Sequence, residues 1–246
     1  MAAPADPYYR HDLALVHHLG FGFHAEMCAP GILALLAPIR ESRGLVLELG
    51  CGSGLLTRAL VAAGHRVIAT DASPAMLDLA RETAPGVDGL SQLTLPDDPL
   101  PEADAIVSIG HAISYLPDEA SIDRALVAIA RALKPGGVMA FDICDLEWGR
   151  ARVDAPNLGR AGEDWAIITR FSTPEPHLFV REMTTFLRTA DDTWRRDDER
   201  HDNVLIDTSR VPRLLSDHGI DAAVGSSFGS ELLPVGLKVI TGHRPA

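Results

Sequence analysis

The apolar positions of this 246-residue chain change period along its length. Short apolar runs at residues 45–49, 66–70, 105–109 and 138–142, with a weaker one at 89–96, alternate with stretches at helical spacing. Leu55, Leu56, Ala59, Leu60 and Ala63 form one helical face that ends at Gly64. Met76, Leu77, Leu79 and Ala80 form a second, opened by Ser73-Pro74 and stopped at Pro85. A third runs from Asp118 to Leu133 through Ile122, Leu126 and Ile129. Runs without polar alternation are strands buried on both faces. Their regular alternation with helices predicts a parallel sheet covered by helices.

After residue 144 the pattern changes. Residues 144–163 read as a polar, glycine-bearing linker. From 165–171, 178–187 and 194–205 the period moves towards two, broken by Thr173-Pro174-Glu175-Pro176 and Ala190-Asp191-Asp192-Thr193. Three antiparallel strands follow from this, folding as a lid over the carboxyl edge of the main sheet. Thr208 reads as the cap of a helix through Val211, Leu214 and Leu215. Two strands near 222–224 and 236–241 close the sheet with an antiparallel hairpin. The N-terminal segment, 8–38, reads as helical and carries Tyr8, Tyr9, His11, His17, His18, Phe21, Phe23 and His24. The expected division is a cap at 1–43, a core at 44–144 with 206–246, and linker and lid at 145–205.

Composition narrows the chemistry. Hydrophobic residues at 46% suffice for a globular core, and no apolar run is long enough to cross a bilayer. A net charge of −12 disfavours nucleic acid and anionic membrane surfaces as partners, which leaves a small molecule. Cys28, Cys51 and Cys144 are odd in number and widely spaced, so neither a disulfide framework nor a metal site is expected. The first residues lack the basic and apolar regions of a secretory signal, and a cytoplasmic location is the expectation. The oligomeric state stays open, with a homodimer among the choices.

The first strand ends in Glu48, Gly50, Gly52 and Gly54. Glycines there let a ligand reach the backbone at the start of a helix. A dinucleotide fingerprint needs a small residue at the sixth position from Gly50, where Leu55 stands, so a nicotinamide oxidoreductase is disfavoured. Glu48 would repel a pyrophosphate but would suit an ammonium or sulfonium. Asp71, at the tip of the second strand, is placed to accept from both hydroxyls of a ribose.

Glu48, Gly50, Gly52 and Gly54 together resemble the first motif of class I S-adenosylmethionine-dependent methyltransferases. The turn Leu133-Lys134-Pro135-Gly136-Gly137 resembles a companion motif of the same family. Residues 103–116 resemble the fourth-strand motif of its small-molecule members, including those that methylate amino-sugar nitrogens. The resemblance implies a Rossmann-like, seven-stranded, mostly parallel sheet with S-adenosylmethionine as cofactor. It sets Glu48 near the methionine ammonium and Gly50, Cys51, Gly52 and Gly54 along the cofactor. Asp71 falls on the ribose with Ala72 and Met76 beside it, and Ile109 and Gly110 at the fourth-strand end. The family often has an acid or amide at the adenine; Ser91, Gln92 and Leu93 are the nearest matches.

Methyl transfer needs nucleophile, methyl carbon and sulfur in line with water excluded. A hydroxyl acceptor also needs a base, whereas an amine needs only to be held neutral. His111, at the carboxyl end of a central strand, is the first candidate for base or orienting group. Tyr9, His24, Tyr115 and Glu147 are further candidates, and the lid offers Arg181, Trp194, Arg196, Arg200 and His201. Cys51 reads as a packing residue. The expected function is methyl transfer to an oxygen or nitrogen of a small acceptor; the alternative is a partner or sensor that binds cofactor without transfer.

Overall fold

The structure is a computed structural model and describes residues 8–246. Three helices come first: α1 (His11–Gly20), α2 (Phe23–Leu35) and α3 (Ala37–Glu41). The core then alternates β1 (Leu45–Leu49), α4 (Leu55–Ala62), β2 (Arg66–Asp71), α5 (Pro74–Thr83), β3 (Gly89–Gln92), β4 (Ala103–Ser108), α6 (Glu119–Ala132) and β5 (Leu133–Cys144). Next come α7 (Leu146–Arg150) and the strands β6 (Leu158–Ala161), β7 (Trp165–Glu175), β8 (Leu178–Arg188) and β9 (Trp194–Val204). α8 (Val211–Ser216), β10 (Asp221–Gly225) and β11 (Leu237–His243) complete the chain.

The seven-stranded sheet has the order β10-β11-β5-β4-β1-β2-β3. β1 pairs in parallel with both β2 and β4, while β11 runs antiparallel between β5 and β10. From β1 the chain winds outward to β3 and then returns to the other side of β1 at β4. That reversal opens a crevice at the carboxyl ends of β1 and β4, where ligands of open parallel sheets bind.

Apolar clusters cover both faces. Ile122, Leu126 and Ile129 of α6 pack on one with Leu47, Phe141 and Leu215. Ile32 and Leu36 join Leu56 and Leu60 of α4 on the other. Each such fully buried aliphatic contributes about 1.5–3 kcal/mol relative to exposure. The strands β6 to β9 form a separate antiparallel sheet. Leu13 and Val16 of α1 pack against its Trp165, Ile167, Met183 and Leu187, and α1 also contacts α5 of the core.

Several boundaries differ from the sequence expectation. The lid has four strands, because β6 forms inside the segment read as linker; all four of its residues are exposed and carry no pattern. α7 also lies in that segment, capped by Asp145, whose carboxylate accepts from the Glu147 amide. β5 begins at Leu133 because that residue pairs with Ala103 of β4; the glycine turn then bulges out of the ladder, which resumes at Val138 opposite Ala105. Thr208 does not cap α8. Asp207 caps a 3-10 turn over Thr208–Arg210, and the Thr208 hydroxyl donates to Asp145 Oδ2 at 2.7 Å.

Candidate active site

The crevice widens into a cleft of about 840 Å³ between the carboxyl ends of β1, β2 and β4, the N-terminal helices and the lid. One half is built by the glycine turn. Gly50, Gly52 and Gly54 all have left-handed φ (65°, 54° and 82°), which a side chain would resist. Gly50 and Gly52 line the cleft, and a Cβ on Gly52 would meet nothing within 4 Å, so bare backbone faces open space. Gly54 does not line it. A Cβ there would stand 3.0 Å from the Ala80 backbone, so this glycine lets α4 approach α5.

Asp71 ends β2 with its carboxylate accepting from the Gly52 amide and the Ser73 amide, both at 2.8 Å. It therefore spans the glycine turn and the start of α5. Burial raises its pKa despite those amides. Glu48 lines the cleft while 1% exposed, and its Oε2 accepts from Thr57 Oγ1 at 2.7 Å. Burial pushes its pKa up to about 8, the Thr57 hydrogen bond opposing and the Asp71 charge adding to the rise. Cys51, Ala72, Met76, Gln92, Leu93, Ile109 and Gly110 all line the same half. The Gln92 amide donates to the Ala72 carbonyl at 3.0 Å, which leaves Leu93, Thr94 and Leu95 as the nearby wall. Cys51 is buried with its thiol held well up in pKa by burial, a packing group.

The other half centres on the turn after β4. Gly110 and His111 are consecutively left-handed (φ 80° and 52°). The fully buried carboxylate of Asp142, on neighbouring β5, holds that turn by accepting from the Gly110 amide at 3.0 Å and the His111 amide at 2.5 Å. The same carboxylate meets His24 Nε2 at 2.7 Å. Burial lowers the His24 pKa, but the hydrogen bond and charge of Asp142 outweigh it and the net direction is up. His111 goes the other way: burial, then the positive fields of Arg181 and His24, hold it well below the usual imidazole range. Its ring stacks on Tyr115 at 5.7 Å between centroids and lies 5.6 Å from Trp148.

Tyr9, His24, Tyr115 and Arg181 line the cleft, as placed from sequence. The Tyr9 and Tyr115 hydroxyls are 2.9 Å apart, and Arg181 Nη2 donates to the Tyr115 hydroxyl. Two expected contacts are corrected. Glu147 does not line the cleft; its carboxylate pairs with Lys238 Nζ at 2.9 Å, because the start of α7 turns it towards β11. His201 is fully buried behind Tyr8, Tyr9 and Tyr115, with Nε2 on Glu199 at 2.9 Å. Trp194, Arg196 and Arg200 are exposed on the lid and absent from the lining.

A strap closes this half. Glu199 Oε2 and Oε1 accept from the Tyr9 and Arg10 amides at 2.9 and 2.8 Å, and Ser73 Oγ donates to the Tyr9 carbonyl at 2.7 Å. Residues 9–10 thus bridge lid strand β9 and the end of β2. Asp142 and Trp148 are among the site residues that sequence reasoning missed. Asp142 was visible only as the acid ending an apolar run, the same signal that exposed Asp71.

A methyltransferase-domain family model matches residues 46–137, the span from β1 through the glycine turn after α6. Over that span the chain is similar to the S-adenosylmethionine-dependent methyltransferases. An uncharacterized methyltransferase of Oceanobacillus iheyensis is 33% identical over 129 residues, 50% of this chain and 57% of that protein. One from Mycobacterium tuberculosis is 32% identical over 168 residues, 64% of each. The chain therefore spans somewhat under two thirds of the length of these curated relatives. Among solved structures, a sugar N-methyltransferase from Streptoalloteichus superposes with a TM-score of 0.77 at 20% identity, covering 100% of this chain and 99% of that one. That likeness is one of fold. The methyltransferase cofactor, S-adenosylmethionine, fits the glycine half: bare backbone at Gly52, a carboxylate at the end of β2, and a buried acid at Glu48.

Proposed function

We propose that the chain transfers a methyl group from S-adenosylmethionine to an oxygen or nitrogen of a small-molecule acceptor. The observation that carries this reading is the continuity of the cleft: one space runs from the glycine turn to the Tyr9, His111, Tyr115 and Arg181 cluster. S-adenosylmethionine, when bound, supplies a methyl carbon on a sulfonium, whose departing thioether needs no proton. Asp71 would accept from the ribose hydroxyls and Glu48 would face the ammonium. Gly110 and His111, held by Asp142, would mark the boundary between donor and acceptor.

The charges of the acceptor half select the state of the nucleophile. The permanent guanidinium of Arg181 disfavours a protonated amine beside it and favours a neutral amine or an ionised oxygen. His111, with its pKa held low, is a poor base and acts chiefly to orient the nucleophile. The strap and the aromatic walls exclude water from the line of attack. Cofactor binding without transfer is not favoured, since the cleft continues into an acceptor-sized space.

Calorimetric titration with S-adenosylmethionine and S-adenosylhomocysteine, followed by labelled-methyl transfer to a panel of small amines, phenols and hydroxy acids, tests the proposal. One-to-one binding of both and labelled product from one acceptor class are expected. No heat with either ligand from folded protein would overturn it.

A further inference from the structure

Among the described residues, Arg181 is the one arginine or lysine that lines the cleft. Arg181 is half-buried, and guanidinium groups drawn out of water are ordinarily paired, because the lost hydration costs free energy unless an opposite charge offsets it. Here no carboxylate of the described residues pairs with Arg181. Its Nη2 donates to the Tyr115 hydroxyl, its carbon lies 5.5 Å from the Tyr115 ring centroid, and its Nε is buried with no partner.

The acids nearby are engaged elsewhere. Asp142 serves His24 and two amides; Glu199 serves two strap amides and His201; Glu147 serves Lys238. Two further cleft residues carry orphaned buried polar atoms, His111 at Nε2 and Trp148 at Nε1. Unpartnered buried groups are rare, and three on one side of one cleft mark a place where a ligand completes the hydrogen bonding.

We propose that the acceptor carries a carboxylate, which pairs with Arg181 and holds the nucleophile towards the donor half. The assignment rests on reading this space as the acceptor site. Charge decides between carboxylate and phosphate. With His24 offset by Asp142 and His17 held neutral at a pKa of about 3 by burial, Arg181 is the single uncompensated positive charge on the acceptor side of the lining, the Glu48 and Asp71 carboxyls lying on the glycine side. A carboxylate matches it; a phosphate monoester would leave an excess charge in a wall of Phe21, Phe23, Tyr115 and Trp148. A planar guanidinium also suits the planar, two-oxygen group.

The test uses the full chain saturated with S-adenosylhomocysteine and titrated with benzoate, benzamide and phenyl phosphate. Benzoate should bind at least tenfold more tightly than either of the others. Arg181→Gln should abolish that preference, Arg181→Lys should keep part of it, and both should bind S-adenosylhomocysteine within twofold of the parent. Equal binding of benzoate and benzamide, no benzoate binding, or a benzoate preference that survives Arg181→Gln would overturn the carboxylate. Tighter binding of phenyl phosphate, lost in Arg181→Gln, would replace it with phosphate. Failure to bind S-adenosylhomocysteine at all would instead refute the methyltransferase reading beneath it.

Discussion

His24 and Asp142 meet at 2.7 Å across the floor of the cleft, joining the start of α2 to the end of β5. The pair does two jobs. It offsets a buried carboxylate with an imidazolium, and it fixes the carboxylate that in turn fixes the backbone of Gly110 and His111.

Asp142→Asn should therefore destabilise the protein, by about 1.5–3 kcal/mol for a lost charge-assisted hydrogen bond. The loss should depend on pH. The folded-state pKa of His24 lies above its unfolded value, so its stabilisation is fully present below about 6.5 and disappears as pH rises through the folded value. Urea melts of the two proteins at pH 6 and pH 9 should show the larger difference at pH 6. Equal differences would assign the whole effect to the two amides.

Replacing His111 with alanine should leave S-adenosylhomocysteine affinity within about twofold and reduce kcat by about 10²-fold through loss of orientation. Because the imidazole is held neutral across the neutral range, the parent's pH–rate profile should have no inflection near 6.5 that the variant lacks. Such an inflection would make His111 a titrating base after all.

Asp71→Ala removes the group that accepts from the Gly52 and Ser73 amides and that, in the proposed donor site, would accept from the ribose. Cofactor affinity should fall by about 1.5–3 kcal/mol, seen calorimetrically. Unchanged affinity would take Asp71 out of the donor site.

Glu48, with a pKa of about 8 in the free protein, is mostly protonated at pH 7. An ammonium brought beside it should draw the proton off. Binding of S-adenosylmethionine at pH 7 should release up to one proton, and affinity should rise with pH until about 8 and then level. Titrations in phosphate and in Tris, whose ionisation heats differ, would give different apparent enthalpies; identical heats would mean that Glu48 stays neutral.

The glycine half of the cleft was legible because its geometry is local. Gly50, Gly52 and Asp71 follow from strand ends and a tight turn, features that a few neighbouring residues specify. Gly54 sits in the same glycine run, yet its close neighbour is Ala80 on another helix, which the run itself does not reveal. The acceptor half depends on distant meetings. Asp142 acts on Gly110 across a strand pair, and Arg181 reaches Tyr115 from the lid. Glu147 and Trp148 are adjacent in sequence, but the turn of α7 sends one to Lys238 and the other into the cleft. Period alone could not choose between them. The two-residue period announced three lid strands, while β6, exposed along its length, had no apolar signature to read.

The strap has a consequence for synthesis. Tyr9 and its carboxylate partner on β9 are 190 residues apart in the chain, so Tyr9 waits for the last strand of the lid before it is held in place. Domains form from the N-terminus as the chain emerges, and the β1–β5 sheet can assemble long before β9 exists. During that interval Tyr9 lacks the Glu199 carboxylate that holds its amide, so the cleft wall it forms with Phe21, Phe23 and Trp148 is complete only after β9 has emerged.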